Sequence, residues 1–272
     1  MTGWADPSKL LEAQRALRRR LLDRPNAIAC RPGRELAAEL LLRLDAPREC
    51  WQVSVDWLRL HLGVQRVDGG YASPTAPFYR LGQAEARADD VPVPSVREVS
   101  VSNREPALMG LWAASRPMVY ADIAQDNRLS PRLRAGLLAV GTAAKIAVVL
   151  RERGTCFGLL CIDRVVKQDD WRPWHYECFD SVARDVLGPI LRTAGPSEPI
   201  DTALDALTRA EHRVARLAAG GLTYKEIARA LNRSPSTVDH QLRSIRHKLG
   251  ARSTRRLVRL LADREVNRET SL

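Results

Sequence analysis

The motif Thr-x-x-Glu occurs twice in close succession, as Thr208-Arg209-Ala210-Glu211 and Thr223-Tyr224-Lys225-Glu226. Each reads as a capping box: the threonine hydroxyl accepts from a first-turn amide, and the glutamate reaches back to the amide of the cap. Two helix starts are thereby fixed. Behind the first, Val214 and Leu217 supply a buried face and Gly220-Gly221 end the helix. The second box opens Tyr224–Leu231, with Ile227 and Leu231 inward, and Asn232-Arg233 make a short turn. Ser234 then caps a third helix, with Pro235 at its first position, where the missing amide costs nothing. That helix is expected to run to Leu249 and stop at Gly250, and Ser253 to cap a fourth bearing Leu257, Leu260 and Leu261. Two short helices joined by a tight turn, the second longer and basic, are the helix-turn-helix layout.

At about 100° per residue, Val238, Leu242, Ile245 and Leu249 form one stripe that must face a core. The opposite side carries Ser236, His240, Arg243, Ser244 and His247. Such groups suit hydrogen bonding to base edges in a major groove, where arginine to guanine is the commonest specific contact. Lys225, Arg233, Thr237, Gln241 and Lys248 flank this side and suit phosphate contacts that fix register. The same face would also serve as the solvated side of a small bundle, with Asp239 and Arg243 an i,i+4 ion pair.

Charge separates the ends from the middle. Of the net +11 on 272 residues, residues 1–32 carry +4 and residues 201–272 carry +7, while residues 33–200 are neutral. A basic tail on a neutral body points to a polyanion for the tail and a different task for the body. With 45% apolar residues the chain can bury a real core. Its apolar runs, such as Ile146–Leu150 and Phe157–Ile162, fall far short of the roughly 18–20 residues that span a bilayer. The opening residues lack the pattern of an export signal, so a cytoplasmic protein is expected. Cys30, Cys50, Cys156, Cys161 and Cys178 are an odd number, and reduced thiols are the simplest expectation.

The stretch Leu207-Thr208 … Glu211 … Gly221-Leu222-Thr223 … Glu226-Ile227-Ala228 … Leu231 … Ser234 … Thr237-Val238 … Leu242 … Ile245 … Lys248-Leu249-Gly250 resembles the LuxR-type (NarL/FixJ-type) DNA-binding domain. The resemblance implies a four-helix module whose third helix enters the major groove and whose fourth supports dimerisation. By position, Asp239, His240 and Arg243 match the family's base-contacting sites, and Lys225, Thr237 and Lys248 its backbone contacts. Two positions depart from the pattern. Gln241 stands where the family usually has histidine, and Asp239 where many relatives carry lysine, which implies a different base preference or a lower affinity.

In the body, helices are expected over Ser8–Leu22, Arg34–Leu44, Pro47–Leu62, Glu105–Ser115, Pro131–Val140 and Pro173–Thr193. Strands are expected over Val64–Tyr71, within Ser73–Pro94, over Pro117–Asp122, and in a hairpin of Lys145–Leu150 and Thr155–Asp163. No alternating βα pattern with a phospho-acceptor aspartate occurs, and the tryptophans do not continue into a lactone-binding pattern. Ser115-Arg116-Pro117-Met118-Val119-Tyr120-Ala121-Asp122-Ile123, the hairpin through Phe157-Gly158-Leu159-Leu160-Cys161-Ile162-Asp163-Arg164, and the closing helix with Phe179, Val182, Ala183 and Val186 resemble a GAF domain. This resemblance implies an antiparallel sheet of about five or six strands, helices on one face and a small-molecule pocket on the other. Phe78, Met109, Leu111, Trp112 and Tyr120 are candidates for the pocket wall, or equally ordinary core.

Cys156 and Cys161, five apart on one strand, are expected on opposite faces. His175 and Cys178 could give two metal ligands, but no Cys-x-x-Cys pair supports a zinc site, and inert buried cysteine is the expectation. There is no Gly-x-Ser-x-Gly, no phosphate-binding glycine loop and no His-Glu-x-x-His, so neither an enzyme nor a cofactor is expected.

The expected architecture is an α+β GAF-like domain followed by an all-α four-helix LuxR-type domain. Its boundaries are a basic amphipathic helix at 1–32, the GAF-like sensory domain at 33–193, a linker at 194–203 and the helix-turn-helix domain at 204–272. The expected function is a ligand-sensing, DNA-binding transcriptional regulator. Its partners would be double-stranded DNA, a small-molecule effector and a second copy of the chain, with RNA polymerase open as a further contact and no membrane. The alternative is a GAF-type thiol redox enzyme, or a redox or metal sensor, using Cys156, Cys161 and Cys178.

Overall fold

A computed structural model describes residues 7–97, 99–165, 171–195 and 207–248. The chain divides into two units, Met1–Glu198 and Pro199–Leu272. The expected linker at 194–203 and the fourth helix from Ser253 lie almost wholly outside the described residues.

The first unit begins with three helices, α1 (Pro7–Leu21), α2 (Gly33–Leu41) and α3 (Pro47–Leu62). Proline at the first turn of α3 and Gly63, left-handed at φ 59°, delimit the last of these as expected. Strands follow: β1 (Arg66–Tyr71), β2 (Phe78–Arg80), β3 (Ala84–Arg87) and β4 (Ser100–Ser102). Then come α4 (Pro106–Ala113), β5 (Met118–Tyr120), α5 (Pro131–Ala139), β6 (Ala144–Glu152) and β7 (Thr155–Arg164). Strand β4 was missed in the sequence because three residues carry too little periodicity to register. The main sheet is antiparallel throughout, in the order β3-β1-β7-β6-β5, and β2 and β4 form a separate two-stranded ribbon.

The hairpin of β6 and β7 turns on Arg153 and Gly154, at φ 50° and 79°. Two consecutive left-handed residues match the right-handed twist of the strands they join. A bulge between Leu150 and Arg151 shifts the pairing from Leu150–Gly158 to Arg151–Cys156. The extra residue breaks the two-residue alternation. Cys156 therefore packs against the same apolar cluster as Cys161, not on the opposite face expected from their spacing.

One side of the sheet is covered by α1, α2, α3 and the C-terminal helix of the unit. Val67, Ile146, Leu150, Leu160 and Ile162 meet Leu36, Leu40, Val55, Leu58 and Phe179 there. Helix α3 approaches closely because it lays Trp51 on glycines: a Cβ on Gly69 would stand 2.7 Å from the Trp51 ring, and one on Gly158 3.4 Å from it. The second side is not left open as the resemblance implied. The β2–β4 ribbon, α4 and α5 cover it, and Tyr79, Leu111, Trp112, Tyr120 and Leu137 pack on Ala147, Val149 and Leu159.

The closing helix changes pitch along its length. Helix α6 (Pro173–Ser181) passes through a π-helical stretch, Val182–Leu187, into α7 (Gly188–Ala194). Pro189 has no amide to continue an α-helical ladder, which accounts for a wider turn just ahead of it. Buried residues recur at every fourth position, as Phe179, Ala183, Leu187 and Leu191, and as Val182, Val186, Ile190 and Ala194. A strict repeat of four drifts about 40° per step around an α-helix. The wider π turns take up that drift and keep both rows on the core.

Charge crosses the covered side of the sheet. Arg66, Asp163 and Lys145 are cross-strand neighbours on β1, β7 and β6. Arg66 Nε donates to Asp163 Oδ2 at 2.9 Å, and Lys145 Nζ stands 2.6 Å from Asp163 Oδ1 and 3.7 Å from Asp68 Oδ1. All four side chains are buried. Burial pushes the Asp68 carboxyl up to about 6, only partly offset by Lys145. Burial also opposes ionisation of Asp163, but Lys145 and Arg66 pull it below the usual carboxylate range.

The second unit contains α8 (Arg209–Ala219), α9 (Tyr224–Ala230) and α10 (Pro235–Lys248). Val214, Ala218, Ile227, Val238, Leu242 and Ile245 form its core. Asn232, at φ 49°, makes the turn between α9 and α10, a conformation asparagine tolerates better than most residues.

Two predictions concern this fold. Gly69→Ala should lower stability by about 1–3 kcal/mol in denaturant titration, because its methyl overpacks against Trp51; unchanged stability would mean that α3 does not seat as described. A folded-state Asp68 pKa above the unfolded value of about 3.9 means that the native state binds the extra proton between roughly pH 4 and 6. Stability from this group therefore rises as pH falls through that window. Asp68→Asn should compare more favourably with the unsubstituted chain at pH 7 than at pH 5, and an equal difference at both would refute the assignment.

Candidate functional site

Both capping boxes close in α8 and α9. Glu211 N donates to Thr208 Oγ1 at 3.2 Å, and Thr208 N to Glu211 Oε2 at 2.7 Å. Thr223 N donates to Glu226 Oε2 at 2.7 Å, and hydrogen bonds from the Thr223 backbone and hydroxyl hold the Glu226 carboxyl below its ordinary value. At the start of α10, Thr237 N donates to Ser234 Oγ at 3.1 Å. The Ser234 hydroxyl also lies 2.8 Å from that of Ser236 and 2.7 Å from that of Thr237. Three hydroxyls thus surround amides at a helix N-terminus, where partial positive charge favours anions.

With Val238, Leu242 and Ile245 turned into the core, α10 exposes Ser236, Asp239, His240 and Arg243. Arg233 and Lys225 are exposed beside them, while Thr237 and Gln241 are half-buried on the flank. Ser244 differs from the expected reading position: it is half-buried and donates to Glu211 Oε1 on α8 at 2.7 Å, so it ties α10 to the first helix of the unit. Asp239 and Arg243 form the i,i+4 ion pair at 2.7 Å, with both side chains largely exposed. Exposed pairs of this kind contribute only about 0.3–0.5 kcal/mol, so the guanidinium is available for exchange. The side chains of His247 and Lys248 lie outside the described residues.

Of the five candidates for a pocket wall, Leu111, Trp112 and Tyr120 share the second apolar cluster, while Phe78 and Met109 are exposed at 40% and 57%. Trp112 Nε1 donates to Asn103 Oδ1 at 2.9 Å, and Asn103 Nδ2 donates to the carbonyls of Ser73 and Ala76. Trp112 therefore also has a structural task. Beneath this layer lie groups the sequence reading did not single out. Among the described residues, Asp68 Oδ1 and Oδ2 and Tyr79 Oη are buried with no hydrogen-bond partner, while Lys145 Nζ and Asp163 Oδ1 have each other at 2.6 Å. The sequence signal was present: charges at alternate positions of otherwise apolar strands must share one face. Surface hollows of about 550 and 560 Å³ lie elsewhere, flanking α1 near Arg20.

Thiol chemistry is constrained by burial. Burial raises the Cys161 and Cys50 thiols to about 12, which suppresses the thiolate. Cys30 and Cys178 are joined as a disulfide across 148 residues, which corrects the expectation of reduced thiols and inert cysteine at this pair. His175 is not its partner. The His175 ring is buried, its Nδ1 accepts from Arg172 N at 3.2 Å, and it also hydrogen-bonds the backbone of Leu62.

Comparison with known proteins follows the division into units. Among curated proteins, none matches the chain. The first unit is similar in structure to the phycoerythrobilin-bound GAF domain of a cyanobacterial phytochrome, at 14% identity and a TM-score of 0.49, over 59% of this chain and 95% of that one. It is also similar to the PixJ GAF domain of Thermosynechococcus elongatus, at 19% identity and a TM-score of 0.45, over 54% and 84% of the two chains. A third similar structure is the GAF domain of a phosphoenolpyruvate-protein phosphotransferase from Coxiella burnetii, at 12% identity and a TM-score of 0.44, over 61% and 95%. Independently of these, the antiparallel sheet with flanking helices is the architecture that the GAF resemblance implied. Residues 205–261 match the bacterial regulatory proteins of the luxR family. That match spans both capping boxes and the exposed row of α10, and this C-terminal segment is a LuxR-type helix-turn-helix domain behind a GAF-like α+β unit.

Proposed function

We propose that this protein is a sequence-specific DNA-binding transcriptional regulator whose GAF-like unit senses a small molecule. The carrying observation is the exposed row Ser236, Asp239, His240 and Arg243, set opposite the buried stripe of one helix in a luxR-family domain. In this reading Asp239, His240 and Arg243 meet base edges, with Ser236, Ser244 and His247 beside them. Lys225, Arg233, Thr237, Gln241 and Lys248 meet phosphates. Ser244 reaches DNA only by leaving Glu211. The net charge of +7 on residues 201–272 supports a polyanion partner. The reading extends to a homodimer on a two-fold site with half-sites about 34 Å apart or nearer. It also places the protein in the cytoplasm as a non-enzyme; among the described residues, no helix is long and apolar enough to cross a membrane.

For the effector, the covered face of the sheet is the proposed binding place, with Leu111, Trp112 and Tyr120 as wall and Phe78 and Met109 at its rim. The buried polar atoms of Asp68 and Tyr79 support this, since polar groups without a hydrogen bond in an apolar setting can recover one from a ligand. Effector binding would favour one placement of the DNA-binding units over another.

Arg243→Ala should cost about 1–3 kcal/mol on the preferred sequence and relax preference at one base pair, whereas Lys225→Ala should weaken all sequences alike and lower the salt slope by about 1. Footprinting on selected and scrambled duplexes distinguishes them, and unchanged preference in Arg243→Ala would show the reading face to be wrong. A thermal-shift screen against metabolites should find a compound that raises the melting midpoint by mass action. That shift should diminish in Tyr79→Phe, and a shift of equal size there would move the effector away from this face.

A further inference from the structure

Cys30, His61 and Cys178 come together from three elements that the sequence sets far apart: the turn before α2, the last turn of α3, and α6. Their ligand atoms all lie within 4.8 Å of one another. We propose that the reduced thiols of Cys30 and Cys178, with the His61 imidazole, hold one Zn2+ ion, and that oxidation of the same two thiols to the disulfide releases it. This proposal does not rest on the DNA-binding reading.

The donor set suits the ion. Two thiolates and an imidazole are the soft and borderline ligands that select zinc, and three protein ligands leave a fourth position for water. Tetrahedral Zn–S bonds of about 2.3 Å ask the two sulfurs to part to about 3.7 Å, which reduction of the disulfide permits. The ligands are also oriented. The His61 ring stacks on Trp57 at 4.4 Å between centroids and meets the edge of Trp174 at 6.4 Å, which fixes its plane, and no hydrogen bond to it is found among the described residues. Cys30 N donates to Ser181 Oγ at 2.8 Å, and that hydroxyl donates to Asp185 Oδ2 at 2.9 Å, so the turn bearing Cys30 is anchored to the helix bearing Cys178. Such outer bonds hold metal ligands in place. Access is one-sided: Cys178 is buried, Cys30 half-buried and His61 exposed, so an ion enters past the imidazole.

The chemistry balances with a peroxide as oxidant. Binding displaces two thiol protons. On oxidation the two thiolates surrender two electrons and form the S–S bond. The O–O bond of hydrogen peroxide accepts them and breaks, two protons from solvent complete two waters, and Zn2+ departs with its charge restored. A dithiol reductant reverses the exchange by taking the disulfide into its own.

The test uses the full chain, reduced with a phosphine and titrated with Zn2+ against a chromophoric chelator. One Zn2+ per chain should bind, Co2+ in its place should show thiolate-to-metal charge transfer, and stoichiometric peroxide should release the metal with the loss of two titratable thiols. Cys178→Ser should abolish stoichiometric binding, and His61→Ala should weaken it at least about 10-fold. A reduced chain that binds no zinc overturns the proposal, as does a Co2+ complex without thiolate charge transfer; the latter needs no substitution and is independent of how variants fold. Retention of metal after the peroxide treatment, or equal affinity in His61→Ala, overturns it as well.

Discussion

The row Arg66–Asp163–Lys145 fixes where the second layer of the GAF-like unit can sit. Arg66 reaches beyond Asp163 to the carbonyls of Pro94 and Val140, at 2.8 and 2.9 Å, and to the Thr142 hydroxyl. One buried guanidinium thus pins two connecting segments to the end of the sheet. Those segments adjoin Val96 and Leu137, which complete the apolar cover over β6 and β7. Removing one member of such a set strands the others without solvent, a loss of about 3–5 kcal/mol for buried pairs in general. Burial is what raises the Asp68 carboxyl to about 6, and Lys145, which stands closer to Asp163 than to Asp68, offsets that burial only in part.

What could be read from the sequence was local. The capping boxes at Thr208 and Thr223 span three residues each, so their partners are written beside them, and both close in the structure. The inward stripe Val238, Leu242 and Ile245 likewise follows from helical geometry alone. The partner of Ser244 is Glu211, 33 residues away, and only packing of α10 on α8 brings them together. A residue placed on a face by helical spacing can still be drawn off it by a neighbour that spacing does not reveal.

The body shows the same division. Proline at helix starts and Gly63 at a helix end gave α3 and α5 their boundaries. The bulge beside Leu150 left no signature, yet it moved Cys156 to the side of Cys161. Nor did spacing relate Cys30 to Cys178, since their approach requires the turn before α2 to lie against α6. His175 looked like the metal-type neighbour because it is three residues from Cys178, but its nitrogens serve the backbone, and the nearer imidazole belongs to α3. Sequence proximity along one helix was a poorer guide than the convergence of three elements.

The pitch change ahead of Pro189 makes the closing helix intolerant of changes in length. Its two inward rows stay aligned only because Val182–Leu187 carries the surplus of a four-residue repeat. Excising a single residue there would turn everything downstream by about 100°. Ile190 and Leu191 would swing out toward water, and the carbonyls of Leu191 and Gly195 would leave the Tyr71 hydroxyl that now donates to both. Among homologues of this chain, insertions and deletions should therefore gather outside this stretch, while side-chain exchange within it remains permitted.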